Sequence, residues 1–212
     1  ADTTVFGAYD HGIYGAIENR DSEARADSNK PRQINWRIYA KRTILCAGAT
    51  ERAIAFGNND RPGIMMASAV RTYLNRYAVA TGQRVSVYTN NDDGWQTAKD
   101  LSDKGVNVVA VIDSRSGEPV MSIPGAEIFM ATDVVDTKGR RAVKSITLSN
   151  GKTIKTDTLA VSGGWNPNLH LTCHHRGVPT WNEELATFVP DGSVPVGMSV
   201  AGRAKGTMVL AD

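Results

Sequence analysis

Three strand ends carry the residues whose types and spacing could do chemistry. In Ala47-Gly48-Ala49-Thr50-Glu51-Arg52 an apolar run stops at a glycine. In Asp157-Thr158-Leu159-Ala160-Val161-Ser162-Gly163-Gly164-Trp165-Asn166-Pro167-Asn168 a second apolar run enters two glycines, with a proline four positions after the first. In Val200-Ala201-Gly202-Arg203-Ala204-Lys205-Gly206 a third ends on a glycine near the end of the chain. Glycine has no β-carbon, so a strand that ends on one lets the backbone lie close against a ligand. One such glycine, taken alone, is more often just a turn. The chemistry expected is backbone approach and hydrogen bonding, and none of these residues is read as a catalytic acid or base.

Other reactive side chains give weaker patterns. Cys173-His174-His175, with His170 nearby, could be taken for metal ligands, but adjacent residues rarely coordinate one ion together and no second cluster follows at a suitable spacing. No metal site is expected. Cys46 falls in an apolar strand, where a thiol is ordinarily buried and inert. There is no G-x-S-x-G elbow, and no Ser, His and Asp set that spacing singles out. Asp60-Arg61 fits a surface ion pair, and Met65-Met66 with Tyr73 and Tyr77 fits helix packing.

A βαβ unit is predicted from a strand over 84–88, a helix over 95–104 and an apolar strand over 106–112. The loop where a G-x-G-x-x-G fingerprint would lie reads Thr89-Asn90-Asn91-Asp92-Asp93-Gly94, and only its last glycine survives. Asn and Asp place β-carbons where a backbone must approach a pyrophosphate, and two carboxylates sit at the helix N-terminus that a phosphate would occupy. They serve the helix as caps instead. This unit is therefore expected to be structural, without NAD(P)H.

The surrounding elements follow from periodicity. Residues 3–18 read as a hairpin turning at Asp10-His11-Gly12, and Asp21 to Pro31 as a solvated turn. Ile34, Trp36 and Ile38 alternate with polar residues as in a half-buried strand. Thr43 to Ala47 reads as a strand buried on both faces. Over 67–79, Val70, Tyr73, Leu74 and Tyr77 share one helical face. Further strands are expected over 126–132 and 142–148, around a Lys138-Gly139 turn, and over 158–161. The chain opens at Ala1 without a methionine and goes straight into an extended stretch, which reads as a cut inside a larger protein.

With 41% hydrophobic and 22% charged residues the 212-residue chain can bury a core. Its 24 basic and 22 acidic residues form no lysine or arginine run, so nucleic-acid binding has no support. No apolar stretch approaches the roughly 20 residues of a membrane helix, and the start lacks a signal peptide, so a cytoplasmic protein is expected. Two cysteines are too few for a disulfide framework.

In order and spacing, the three glycine-bearing segments resemble the signature of the two-dinucleotide-binding-domain flavoproteins. The wording of Thr3 to Arg20, Ile44 to Tyr77 and Val161 to Leu171 is similar to the alpha subunit of heterotetrameric sarcosine oxidase. That resemblance implies an α/β, FAD/NAD(P)-binding fold in which an incomplete outer domain, over 1–66 and 156–212, carries an inserted Rossmann-like domain over 67–155. The first βαβ of the outer domain, with its fingerprint, would precede Ala1. The family is a cytoplasmic flavoenzyme complex that oxidises the N-methyl group of sarcosine, with flavin chemistry on the beta subunit. The alpha subunit binds NAD in its amino-terminal half and folate in its carboxy-terminal half. FAD and FMN belong to the complex and are not expected on this chain; the partners are the other subunits of the heterotetramer. Ala47, Gly48, Ala49, Thr50, Glu51, Gly164, Gly202 and Arg203 would line the NAD pocket. Where the family has glycine-aspartate this chain has Gly202-Arg203, which removes the carboxylate that holds FAD and shifts the expected ligand to NAD. Two alternatives remain: a subunit of an FAD-dependent amino-acid or opine dehydrogenase, and a non-catalytic scaffold that docks partner subunits.

Overall fold

A computed structural model describes residues 2–20 and 31–208. In chain order the strands and helices are β1 Asp2–Tyr9, β2 Ile13–Asn19, β3 Gln33–Tyr39, β4 Thr43–Leu45, β5 Ala49–Glu51, β6 Ile64–Met66, α1 Ala67–Tyr77, β7 Val85–Thr89, α2 Asp92–Asp103 and β8 Val108–Asp113. They continue with β9 Glu127–Phe129, β10 Val134–Lys138, β11 Ser145–Leu148, β12 Thr153–Lys155, β13 Thr158–Ser162, β14 Trp165–Pro167, α3 His170–Cys173, β15 Thr180–Asn182, β16 Thr187–Val189 and β17 Met198–Val200. The turn read over 21–31 lies outside the described residues except for Pro31. The chain divides into two compact units, one of Ala1–Thr50 with Asn166–Asp212 and one of Glu51–Trp165.

The second unit is built on a five-stranded sheet of order β6-β13-β7-β8-β9, with every neighbouring pair parallel. A parallel sheet is covered on both faces, so its central strands carry little but apolar and small residues. All five residues of β7 and all five of β13 are buried. On one face Val70 of α1 and Trp95, Ala98 and Leu101 of α2 pack over Val85, Val87, Val111 and Ala160. On the other, the antiparallel sheet β10-β11-β12 brings Val134, Ile146, Leu148 and Ile154 against Tyr88, Ala110, Ile112, Leu159 and Val161. The unit therefore takes in residues 51–66 and 156–165, wider at both ends than the expected 67–155, because β6 and β13 are strands of its sheet. Of the expected strand over 126–132 only Glu127–Phe129 pairs, as β9, and neither β10 nor β12 was expected from the sequence.

The expected apolar face of α1 is also narrower. Ala67 and Val70 are buried and Leu74 partly so, but Tyr73 and Tyr77 are 44% and 57% exposed and lie against each other with ring centroids 6.0 Å apart. Arg76 stands 5.5 Å over the Tyr77 ring. These tyrosines stack on the helix surface rather than in the core.

In the first unit β1, β2 and β3 form an antiparallel sheet, with the 3-10 turn Asp10–Gly12 closing the first hairpin where the sequence placed it. Residues of this sheet, Ala8 and Tyr14, pack with Leu45, Leu171 and Met198 in a small core. β4 pairs in parallel with β17. The expectation that β4 is buried on both faces is not met: Leu45 is buried, but Ile44, on the opposite face, is 69% exposed, and Cys46 is exposed rather than buried. The small core lies on Leu45's side of the strand, and alternation turns Ile44 away from it.

One buried polar network joins the second unit's layers. Trp95 Nε1, itself in the core, donates to Asp113 Oδ2 at 2.7 Å at the end of β8. Arg115 donates to the same carboxylate at 2.8 Å through Nη2 and at 2.9 Å through its backbone N–H. Burial opposes ionisation of Asp113, but the bonds from Arg115 and Trp95 outweigh it and hold the carboxyl below the ordinary aspartate range.

Two predictions follow from this packing. A β-carbon on Gly94 would lie 2.3 Å from Thr89 Oγ1 and 2.4 Å from Thr89 Cβ, so Gly94→Ala must push α2 off β7. The expected loss is about 2–3 kcal/mol in urea unfolding; a loss below about 0.5 kcal/mol would contradict the close approach. Asp113 binds its proton more readily unfolded, at about 3.9, than folded. Its contribution is therefore complete above about pH 4 and lost as pH falls through the lowered folded value. Asp113→Asn should cost about 1–3 kcal/mol at neutral pH and flatten the acid limb of stability against pH; an unchanged limb would show that this carboxyl does not govern it.

Candidate functional site

The first unit gathers two of the three glycine-bearing strand ends. Parallel pairing puts Met198 beside Thr43, Ser199 beside Ile44 and Val200 beside Leu45. Ala201 N–H then donates to Leu45 O at 3.0 Å, so the backbones leading to Gly48 and Gly202 leave the same carboxyl edge. That edge is where open α/β sheets bind ligands. Gly48 has φ +70° and Gly202 φ +64°, both left-handed. A β-carbon at either position would meet no heavy atom within 4 Å. Glycine is thus required here by backbone conformation, and the space beside it is open to a ligand.

Asn168 holds the first of these strand ends in place, and sequence reasoning did not single it out. Its Nδ2 donates to Ala47 O at 2.8 Å, its backbone N–H to Gly48 O at 3.0 Å, and its Oδ1 accepts from Thr50 Oγ1 at 3.0 Å. The available signal was its position directly after Pro167, at the end of the glycine-x-x-x-proline turn. Ala49 and Thr50 lie in β5. After Gly202 the chain enters the 3-10 turn Gly202–Lys205, closed by Gly206 N–H to Arg203 O at 3.0 Å and Thr207 N–H to Gly202 O at 3.2 Å. Arg203 is half-buried in that turn.

The remaining two predicted residues lie in the second unit, where each has a packing role. Glu51 Oε2 accepts the Ser68 N–H at 2.8 Å in the first turn of α1, whose N-cap residue Met66 supplies no side-chain bond. A carboxylate there also complements the helix dipole. Gly164 has φ +90°, and a β-carbon on it would lie 2.5 Å from Arg52 Nη2. Arg52 and residues 163–164 also exchange backbone bonds, Arg52 N–H to Gly164 O and Gly163 N–H to Arg52 O, both at 2.8 Å.

The loop from Thr89 to Gly94 in the second unit is bonded by protein groups around it. Asn91 caps α2, its Oδ1 accepting from Asp93 N–H at 3.0 Å while its Nδ2 donates to Ser162 O at 3.0 Å. Thr89 Oγ1 donates to Asn91 O at 2.8 Å and accepts its N–H at 3.1 Å. Arg115 Nη2 pairs with Asp92 at 2.9 Å as well as with Asp113, and Trp165 Nε1 donates to Asp93. Gly94, the surviving fingerprint glycine, is the one that lets helix and strand approach closely.

The histidines beside Cys173 are structural: His174 Nδ1 accepts the Ala8 N–H at 3.1 Å, and His175 Nδ1 lies 3.4 Å from Asp10. Among the described residues no three His, Cys, Asp or Glu side chains gather as a metal-ion site. Arg61, read as a surface ion pair with Asp60, instead donates to Thr137 Oγ1 at 3.2 Å and to Gly139 O. Among the described residues no helix is long and apolar enough to cross a membrane.

No protein-family model matches the chain. The sarcosine oxidase subunit alpha of Rhizobium meliloti (strain 1021) is 43% identical over 213 residues, a match that covers 99% of this chain and 22% of the relative. The sarcosine oxidase subunit alpha of Corynebacterium sp. (strain P-1) is 36% identical over 209 residues, covering 91% of this chain and again 22% of the relative. Among solved structures, L-proline dehydrogenase from P. horikoshii superposes with a TM-score of 0.70 at 21% identity, over 95% of this chain and 36% of that one. Thioredoxin reductase from T. acidophilum superposes with a TM-score of 0.62 at 16% identity, over 96% of this chain and 66% of that one. The chain thus has the α/β fold of these two enzymes and is related, over nearly its whole length, to a segment that makes up 22% of the sarcosine oxidase alpha subunit.

Proposed function

We propose that this chain is the NAD-binding segment of the alpha subunit of a sarcosine-oxidase-type flavoenzyme complex, with the demethylating chemistry on another subunit. The observation that carries the reading is the pair of strand ends at Gly48 and Gly202, side by side, both left-handed and both open where a β-carbon would stand. In this reading the backbone of Ala47 to Thr50 and of Gly202 approaches the dinucleotide, with Asn168 fixing the first segment and Arg203 offering a cation to a phosphate. NAD, when bound, supplies adenine, phosphates and nicotinamide for these groups to hold; the chain contributes position, not proton transfer. Glu51 and Gly164 take part through the packing of their own unit, since the Glu51 carboxylate is engaged at α1 and Gly164 lies against Arg52. The second unit is a support: its helix N-terminus is already served by Asn91, Asp92, Asp93 and Arg115.

A second reading, a subunit of an FAD-dependent amino-acid dehydrogenase, is favoured by the superposition on L-proline dehydrogenase. Arg203 in place of a carboxylate weighs against FAD at this position.

Extraction of nucleotide from the purified full-length protein separates the two. NAD is expected, and Gly48→Ala or Gly202→Ala should lower the NAD recovered per chain about ten-fold, since one misplaced methyl at a backbone contact costs on the order of 1.4 kcal/mol. Recovery of FAD in a stoichiometric amount would favour the dehydrogenase, and NAD content untouched by both substitutions would sink the assignment of the strand ends. The 212-residue chain alone is expected to bind NAD only weakly and to release no formaldehyde from sarcosine. Micromolar affinity in a calorimetric titration would refute the first expectation.

A further inference from the structure

One stretch of the second unit is basic with no acid to interrupt it. Between Lys138 and Thr156 the sequence holds six of the 24 basic residues and none of the 22 acidic ones, so the remainder of the chain is net acidic. The β10-β11-β12 sheet arranges these side chains in space. Register puts Thr137, Ile146 and Ile154 in one row, and all three are buried, the two isoleucines against the parallel sheet. The next row, Lys138, Ser145 and Lys155, must then face outward, because neighbouring residues of a strand point to opposite faces. Lys144, whose N–H donates to Lys138 O at 2.8 Å and whose O accepts from Thr156 N–H at 3.1 Å, follows at the same end of the sheet, and Arg140 and Arg141 sit in the turn that joins β10 to β11 at that end.

All five of these cations are exposed, and among the described residues none has a carboxylate within ion-pair distance. Lys152, the sixth, lies toward the other end of the sheet, where it pairs with Glu127 and stands 4.9 Å over the Phe129 ring. Asp136, in the row beyond Lys138, accepts from Asn58 Nδ2 at 2.7 Å. Five like charges on one small sheet repel one another, which disfavours the fold unless something compensates.

We propose that this exposed end of the β10-β11-β12 sheet, carrying Lys138, Lys144, Lys155, Arg140 and Arg141, docks an acidic face of another protein subunit. A small anion is bound in a concave site with converging donors, whereas these cations stand on the outside of a sheet. A nucleic acid would call for aromatic side chains to stack its bases, and residues 138–156 contain none. A protein surface bearing several carboxylates matches both the spread and the sign. Rim charges of this kind set orientation and speed of encounter. The proposal rests on the subunit assignment made above.

The test uses the full-length protein purified with its partner subunits. Lys138, Lys144 and Lys155 should be acylated more slowly by an amine-reactive reagent in the complex than in the separated chain, with exposed Lys104 unchanged. The variant carrying Lys138→Glu, Lys144→Glu and Lys155→Glu should keep its circular dichroism and melting temperature. It should raise the apparent dissociation constant of the complex about ten-fold or more at about 0.1 M salt, with the difference shrinking as salt rises. A complex whose three lysines react as fast as in the separated chain, or whose assembly ignores the variant, overturns the docking surface alone. Purification of the full-length protein as a single kind of chain overturns the subunit assignment and the docking surface together. Protection that disappears on nuclease treatment assigns the face to nucleic acid and also overturns the proposal.

Discussion

The need to cover a parallel sheet on both faces governs the second unit. Parallel strands cannot be joined by tight hairpins, and each crossover lays material over one face of the sheet or the other. Here α1 and α2 cover one face and the β10-β11-β12 sheet covers the other, leaving two apolar clusters on opposite sides of β7 and β13. The chain must complete both layers before β13 can enter between β6 and β7, which is why a central strand comes from residues 158–162. Its end then fixes the loop beside it: Asn90 N–H and Asn91 Nδ2 both donate to Ser162 O, at 3.2 and 3.0 Å.

That loop and the strand ends of the first unit are opposite solutions to the same problem of what lies at the carboxyl edge of parallel strands. In the second unit the edge is satisfied internally. Asn91 caps the helix, Asp92 and Asp93 occupy its first turn, and Arg115 ties Asp92 to the buried Asp113. In the first unit the edge carries two glycines with no heavy atom within 4 Å of where a β-carbon would stand. The contrast arises from side-chain chemistry, since both edges have the same parallel-strand geometry.

Much of the fold could be read from the chain itself. The hairpin at Asp10-His11-Gly12, the helix after Met66, the βαβ around Trp95 and the buried strand at 158–162 each follow from local period and turn residues. The loss of the fingerprint at Thr89 to Gly94 was equally local, because caps and glycines act on their own backbone. What failed was anything decided by a distant neighbour. Cys46 and Ile44 have apolar flanks in sequence, yet only Leu45 of that strand faces a core. Tyr73 and Tyr77 repeat at helical spacing, yet they meet each other instead of the sheet.

The sequence alone determined that strands would end on Gly48, Gly164 and Gly202, and that an arginine would follow the last of them. Only the tertiary structure decided that Gly48 and Gly202 share one edge, that Gly164 lies against Arg52 and that the Glu51 carboxylate serves α1. It also brought Lys138, Lys144 and Lys155 to one end of the β10-β11-β12 sheet. The reason is physical. Backbone preference is set by each residue and its nearest neighbours, whereas pairing register and burial depend on segments more than a hundred residues apart, as Thr43 and Met198 are.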